Sequence, residues 1–211
     1  MDLISGILII ASIHFLAAAS PGPDFVLVSQ QSLKYGKKTG LFVSLGITLG
    51  LSIHILYSAV GLSAIIANSE TALWVIKILG AGYLFYLGIM SIKSPAKTAV
   101  EITESTSEDI PSAKSSLFKG FLCNALNPKA PIYFVALFTL VITPDTPVNH
   151  LVVYSIVMMI IQMAWFSSVS LLLSRPSVNK AFQRMGHWLD RLMGLALIAL
   201  GIKILLTKLQ P

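Results

Sequence analysis

The stretch Ala17-Ala18-Ala19-Ser20-Pro21-Gly22-Pro23-Asp24-Phe25 interrupts an apolar run that covers about residues 3–33. Proline removes a backbone donor and clashes with the preceding turn. The residue before it is pushed away from helical angles. Two prolines around one glycine therefore break a helix outright. A second break, Asn127-Pro128-Lys129-Ala130-Pro131, interrupts an apolar run over about 117–142. What the breaks do depends on the solvent around the helices.

Composition identifies that solvent. Of 211 residues, 55% are hydrophobic and 11% charged, where a soluble domain carries roughly 25% charge. This excludes a disordered chain, a coiled coil, a nucleic-acid binder and most soluble enzymes, and it points to a polytopic protein of the lipid bilayer. The net charge of +6 fits basic cytoplasmic loops. Cys123 is the only cysteine, so neither an intrachain disulfide nor a thiolate cluster is expected. His14, His54, His150 and His187 form no ligand motif, so no metal or other cofactor is expected. The run Leu3 to Ala19 resembles a signal peptide, with Ala17-Ala18-Ala19 as a cleavage site. Asp2 precedes it, however, with no Lys or Arg, and further apolar segments follow. It reads as a first transmembrane helix.

A bilayer core of ~30 Å takes about 20 apolar residues per helix. Six stretches qualify: about 3–33, 39–67, 71–92, 117–142, 150–173 and 187–207. The expected fold is an all-α membrane protein with one transmembrane domain over 1–211. A hydrophilic loop at about 93–116, rich in Ser and Thr and carrying Glu101, Glu104, Glu108 and Asp109, separates halves at about 1–92 and 117–207. Lys34, Lys37 and Lys38, then Lys93, Lys97, Lys114 and Lys119, then Arg175, Lys180, Arg184 and Arg191 occupy alternate connections. The positive-inside rule makes these cytoplasmic and places both termini outside; Lys203 and Lys208 count against it. The halves repeat. Lys77-Ile78-Leu79-Gly80 and Leu87-Gly88-Ile89 match Arg191-Leu192-Met193-Gly194 and Leu200-Gly201-Ile202, and Pro21 and Pro128 are 107 positions apart. Two three-helix halves must face opposite ways, which is the inverted-repeat plan of secondary transporters.

Broken backbone is tolerated in a membrane only inside protein or beside a water-filled cavity. The half-helix that restarts near Pro23 has free amides and a positive dipole end, which can hold a carboxylate. Asp24 lies ten residues before Lys34, and Lys129 lies ten after Lys119. At 1.5 Å per residue each is ~15 Å from the cytoplasmic boundary, near mid-bilayer. An intramembrane charge costs ~2.5–3.5 kcal/mol or more, so both need a partner or a purpose. Gln162 and Trp165 reach a similar depth counted back from Arg175, and Asn124 shares a helix face with Asn127. The alternative is structural: Asp24 caps the second half-helix and Lys129 is its static counter-ion. His54 is either a proton relay or a buried, hydrogen-bonded histidine. Gly36, Gly40, Gly46 and Gly50 suit a homodimer face or, as the favoured reading, packing within the monomer. Trp74, Tyr83, Tyr86 and Trp188 fit interfacial belts.

Ser20-Pro21-Gly22-Pro23-Asp24-Phe25 with Val28-Ser29-Gln30 resembles the first-helix signature of the lysine exporter superfamily, closest to its RhtB-type, threonine-efflux branch. Asn124, Asn127-Pro128-Lys129-Ala130 and Ile132-Tyr133-Phe134 resemble the second motif. Ala164-Trp165-Phe166 and Lys77, Gly80, Tyr83-Leu84 and Gly88 fit as well. The resemblance implies export of small neutral amino acids, threonine- or homoserine-like, across the bacterial inner membrane by proton antiport. The candidate substrate or coupling residues are Ser20, Pro21, Gly22, Pro23, Asp24, Gln30, Asn124, Asn127, Pro128, Lys129, Gln162 and Trp165. Alternatives are export of another amino acid or small metabolite, a channel-like protein, or a membrane-embedded enzyme. An enzyme would want a nucleophile with a base, or paired carboxylates near a metal.

Overall fold

The computed structural model describes residues 2–19, 22–68, 70–93, 110–127, 130, 133–134, 137–138, 141–143, 146–173, 178, 188, 191–192, 194–199, 201–202 and 205–206. Every regular element among them is an α-helix: α1 (Leu3–Ala19), α2 (Pro23–Tyr35), α3 (Lys37–Asn68), α4 (Glu70–Ile92), α5 (Ala113–Ala125) and α6 (Val148–Leu173). Described residues of 130–141 and 188–206 are helical too. Of the predicted hydrophilic loop, 94–109 lies outside the described residues. So do the basic residues Lys97, Arg175, Lys180, Arg184, Lys203 and Lys208.

Among the described residues, two helices, over Lys37–Ala59 and Val148–Leu172, are long and apolar enough to cross a membrane. The pair α1 and α2, bent by 57° where they meet, qualifies as a third, broken span. The side chains are sorted for lipid. Apolar residues at helical spacing face outward: Ile4, Leu8 and Phe15 on α1, and Val152, Ile156 and Ile160 on α6. Polar residues face inward, among them His14, Ser32, Ser44, Thr48, His54, Asn124, Gln162 and Ser170. Hydroxyls of Ser29, Ser44, Thr48 and Ser155 donate to the carbonyl four residues back, the local solution where water is absent. Trp74, Tyr86 and Trp188 are exposed, and Arg191 lies over the Trp188 ring, as the interfacial-belt reading expects. The side chains of Lys77 and Tyr83 are outside the described residues.

The helix ends follow the sequence closely. Asp2 caps α1: its Oδ1 accepts from the Ser5 amide at 2.9 Å, and those hydrogen bonds hold its carboxyl below the usual carboxylate range. Ser112 caps α5 by accepting from Ser115 N. Between α2 and α3 stands Gly36 at φ +86°, a backbone angle that disfavours any side chain.

Helix α3 is the hub, packing on α2, α4, α5 and α6, while α1 lies on α6. Glycine permits the closest crossing. A Cβ at Gly46 would overlap the Leu117 carbonyl, one at Gly120 the Val43 carbonyl, and one at Gly50 would sit 2.8 Å from Phe121 O. A Cβ at Gly40 would strike the Ser32 and Ser170 hydroxyls, which bond to each other at 3.0 Å. Gly40, Gly46 and Gly50 therefore pack inside the chain. Gly88 and Gly194 face each other, and a Cβ at Gly201 would sit 3.3 Å from Ala81 O.

The core has two parts. One cluster gathers Ile10, Leu51, Ile55, Tyr133, Phe134, Phe138, Tyr154 and Met158. The other gathers Phe25, Val28, Val43, Ile47, Phe166 and Val169.

Candidate functional site: a cavity between the helix breaks

A partly open cavity lies between the two clusters. Leu51, Ala130, Tyr133 and Phe134 come from one cluster, and Phe25 and Phe166 from the other. It has space for the centres of water-sized molecules over about 70 Å³. One water needs ~10–15 Å³ on that measure, so the space suits a cargo of several non-hydrogen atoms.

The first break supplies one wall. Gly22 is the N-cap of α2 in extended conformation (φ −153°) and Pro23 is its first residue, where the missing amide hydrogen is no loss. Asp24 sits one residue further, in the first turn. Gly22, Pro23, Asp24 and Phe25 all line the cavity. The N-cap position is thus glycine's, and the Asp24 carboxylate is engaged elsewhere. Its Oδ2 accepts from Asn124 Nδ2 at 2.7 Å and its Oδ1 from the Cys123 thiol at 3.4 Å.

The second break supplies the facing wall. Helix α5 ends at Ala125, and Asn127 N bonds back to Asn124 O at 2.9 Å. A helix end leaves carbonyls without intrahelical donors. His54 answers one of them: its Nε2 donates to Asn124 O at 2.8 Å, while its Nδ1 pairs with Tyr57 OH at 3.0 Å. A carbonyl can only accept, so Nε2 carries the proton and the tyrosine hydroxyl donates to Nδ1. The ring stacks on Phe134 at 5.9 Å. His54 is the buried, hydrogen-bonded histidine of the two readings its sequence allowed.

The third wall is α1 against α6. His14, Ala17 and Ala18 face the cavity from α1 at the i, i+3, i+4 spacing of one helix face, and Gln162 and Phe166 face it from α6. His14 is 2% exposed and Gln162 3%. The Gln162 side chain and the Met158 carbonyl both lie beside the His14 ring as acceptors, though neither His14 Nε2 nor Gln162 Oε1 makes a well-formed hydrogen bond among the described residues, and Asn124 Oδ1 makes none. A buried polar atom left unsatisfied costs about 1–3 kcal/mol. Three around one small cavity call for an explanation.

Of the residues singled out from sequence, the fold brings Gly22, Pro23, Asp24, Asn124, Asn127 and Gln162 to this cavity. Ser20, Pro21, Pro128 and Lys129 lie outside the described residues. Gln30 is exposed on α2. Trp165 is half-buried and packs edge-on against Phe15 at 5.4 Å, away from the lining. His14 lines the cavity without having been singled out, and Tyr133, quoted only within the second family motif, lines it too. His14 could have been found by its helical spacing to Ala17 and Ala18, immediately before the break.

Lipid-sorted helices around a small, mostly apolar cavity with a few polar groups at broken backbone suit a membrane transport protein. The family model of the LysE type translocators matches residues 15–208, and the chain belongs to that family, which makes it a transporter and not an enzyme. It is 28% identical to the threonine efflux protein of Escherichia coli K12 over 201 residues, 95% of this chain and 98% of that one. The threonine efflux protein of Salmonella typhi is also 28% identical, over 94% of this chain and 97% of its own length. An uncharacterized membrane protein of Bacillus subtilis, YrhP, is 30% identical over 87% and 90%. No solved structure matches.

Proposed function

We propose that this translocator exports small neutral amino acids of the threonine or homoserine kind from the bacterial cytoplasm, across the inner membrane, in exchange for protons. The observation that carries the proposal is the cavity itself. A carboxylate, the amide end of α2 and two side-chain amide oxygens without a well-formed bond among the described residues, of Asn124 and Gln162, meet in a space sized for a small zwitterion. The substrate carboxylate docks on the amides near Gly22 to Asp24, with Lys129 as a second positive group. Its ammonium takes the Asp24 carboxylate. A proton on Asp24 cancels the charge that holds the ammonium, so proton and substrate compete for one group, which is what antiport requires. With no second acid among the described residues of the cavity lining, a lysine or arginine side chain would be left unpaired there.

The same reading holds the chain to be one domain of six spans in two inverted halves, with both termini outside. Two pairs of contacts support the inverted repeat. Gly88 meets Gly194 and Ala81 meets Gly201, and a shift of 113 positions carries the residues of one contact onto the other. His54 on α3 with Asn124 on α5 likewise has a counterpart in Gln162 on α6 with His14 on α1, displaced by 108 and 110 positions. The halves rock around a cavity between them.

The test is a panel of labelled amino acids in everted vesicles, with reporter fusions at both termini. The proposal expects accumulation of threonine that an uncoupler abolishes. Clear preference for lysine or arginine, or accumulation indifferent to the uncoupler, would overturn the substrate or the coupling respectively.

A further inference from the structure

Both pieces of the broken first span, α1 and α2, pack on α6, and they do so towards its opposite ends. We propose that they close on α6 as two gates. The Ser32–Ser170 hydroxyl pair latches the cytoplasmic gate, Tyr154 against Gly6 closes the outer one, and the α3–α5 crossing is the fulcrum between them. This rests on the reading of the cavity as a secondary transporter's site and specifies which contacts part.

Tyr154 and Ser170 stand 16 residues apart on α6, about 24 Å along its axis. Gln162 of the cavity lining lies eight residues from each. Towards the start of α6, a Cβ at Gly6 would overlap the Tyr154 hydroxyl, and Tyr154 is buried in the larger apolar cluster. Towards its end, Ser32 Oγ donates to Ser170 Oγ at 3.0 Å, and Ser170 Oγ donates to Lys37 O, also at 3.0 Å. Ser32 is two residues before Lys34, on the side that the basic connections make cytoplasmic. The inner contact is built to part. Each hydroxyl is donor and acceptor at once, so parting exchanges a neutral hydrogen bond for bonds to water at little net cost. Beside Ser32 on α2, Gln31 is buried and its Oε1 has no hydrogen-bond partner among the described residues. Water admitted along α2 would supply one. The α3–α5 crossing offers no such exchange. There Gly46, Gly50 and Gly120 bring backbone against backbone, and separation would forfeit close packing without replacement. The crossing joins the two halves beside the cavity, which Leu51 and Asn124 both line, so it is the place to pivot. Because α1 and α2 meet at 57°, one can leave α6 while the other stays.

A disulfide across the latch tests it in the assembled protein. With the two hydroxyls 3.0 Å apart, Ser32→Cys combined with Ser170→Cys is within reach of a disulfide. In everted vesicles of the full-length double variant, copper phenanthroline should lower transport at least about tenfold, and dithiothreitol should restore it. Each single variant, which keeps Cys123, should not respond to the oxidant. A second measurement needs no cargo and one conservative substitution. Ser170 is 0% exposed with α2 in place. The thiol introduced by Ser170→Cys should nonetheless react with an impermeant maleimide added to everted vesicles, above the background that Cys123 gives in wild type. A disulfide that forms and leaves transport unchanged, a pair that does not cross-link, or an introduced thiol that stays unlabelled overturns the inference while leaving amino-acid export standing. Wild-type vesicles that move no amino acid, with the introduced thiol labelled, would instead sink the function proposed above and keep the gate, for another cargo.

Discussion

His54 with Asn124, and Gln162 with His14, each join a long helix to a half-helix across the cavity, yet only the first pair is closed. His54 spends both ring nitrogens, one on the Asn124 carbonyl and one on Tyr57. His14 meets the Gln162 side chain and the Met158 carbonyl without a well-formed bond at Nε2 or at Gln162 Oε1. The closed pair holds the end of α5, where the Asn124 carbonyl takes the Asn127 amide and the His54 ring together. One polar pair thus fixes the frame of the cavity, and the other is the more loosely made. Strain or unsatisfied polarity persists where surrounding structure over-determines it, and such places gather at sites of function.

The largest effect expected tests the frame. Gly46→Val drives a side chain into the Leu117 carbonyl, which cannot move without displacing α5. Overpacking against backbone should cost about 3 kcal/mol or more, seen as loss of the monodisperse folded species. If the variant is as stable as wild type, α3 and α5 do not cross this closely. Next comes the charge between the two pairs. Asp24→Asn keeps the shape and removes the carboxylate that Asn124 and Cys123 approach. Loss of a charged hydrogen-bonded partner is worth about 2–5 kcal/mol, so efflux should fall at least about 30-fold in a normally inserted protein. Wild-type efflux with normal coupling would reduce Asp24 to a structural residue.

Those two positions differ in how visible they are without coordinates. Asp24 is an acid in an apolar run beside two prolines, and both signals are local. The breaks, Asn124, Asn127 and Gln162 were legible for the same reason: polarity or proline where lipid demands neither. Gln30 misleads. It follows Asp24 by six residues, about 240° around the helix at 100° per residue, so it points away from the cavity into exposed surface. Trp165 misleads similarly, three residues from Gln162 and turned onto Phe15. His14 was only half legible: its spacing to Ala17 and Ala18 points towards the break, but its partners Tyr133 and Gln162 come from far along the chain, and a lone histidine in an apolar helix carries no sign of either. The lipid-facing stripes and the glycine crossings were legible as patterns, but which helices they join is a property of the packed structure.

His54→Phe probes the closed pair more gently. The ring stack on Phe134 survives and the donor to Asn124 O is lost, but that carbonyl keeps the Asn127 amide. The cost should be that of one net hydrogen bond, about 0.5–1.5 kcal/mol, with Tm lower by ~2–4 °C per kcal/mol for a chain of this size. Tyr57→Phe, at a side chain partly exposed, should cost less. If the two variants lower Tm equally, the His54 bond to the break contributes nothing of its own.

The smallest shift expected is the most discriminating, because it has the opposite sign. Gln162→Leu removes a buried acceptor that makes no well-formed hydrogen bond among the described residues and replaces it with an apolar group of similar volume. Replacing unsatisfied polarity by apolar surface is neutral or stabilising, so Tm without substrate should stay level or rise by ~1–3 °C. Added threonine should then stabilise the variant less than wild type, since a ligand raises stability in proportion to its binding to the native state. Wild type and Gln162→Leu therefore separate in two measurements that move in opposite directions, Tm alone and Tm with threonine. His54→Phe should lower the first and leave the threonine-induced increment close to wild type, because it acts on the frame. Equal losses of Tm in Gln162→Leu and His54→Phe would mean that both polar pairs are structural, and the distinction between them would collapse.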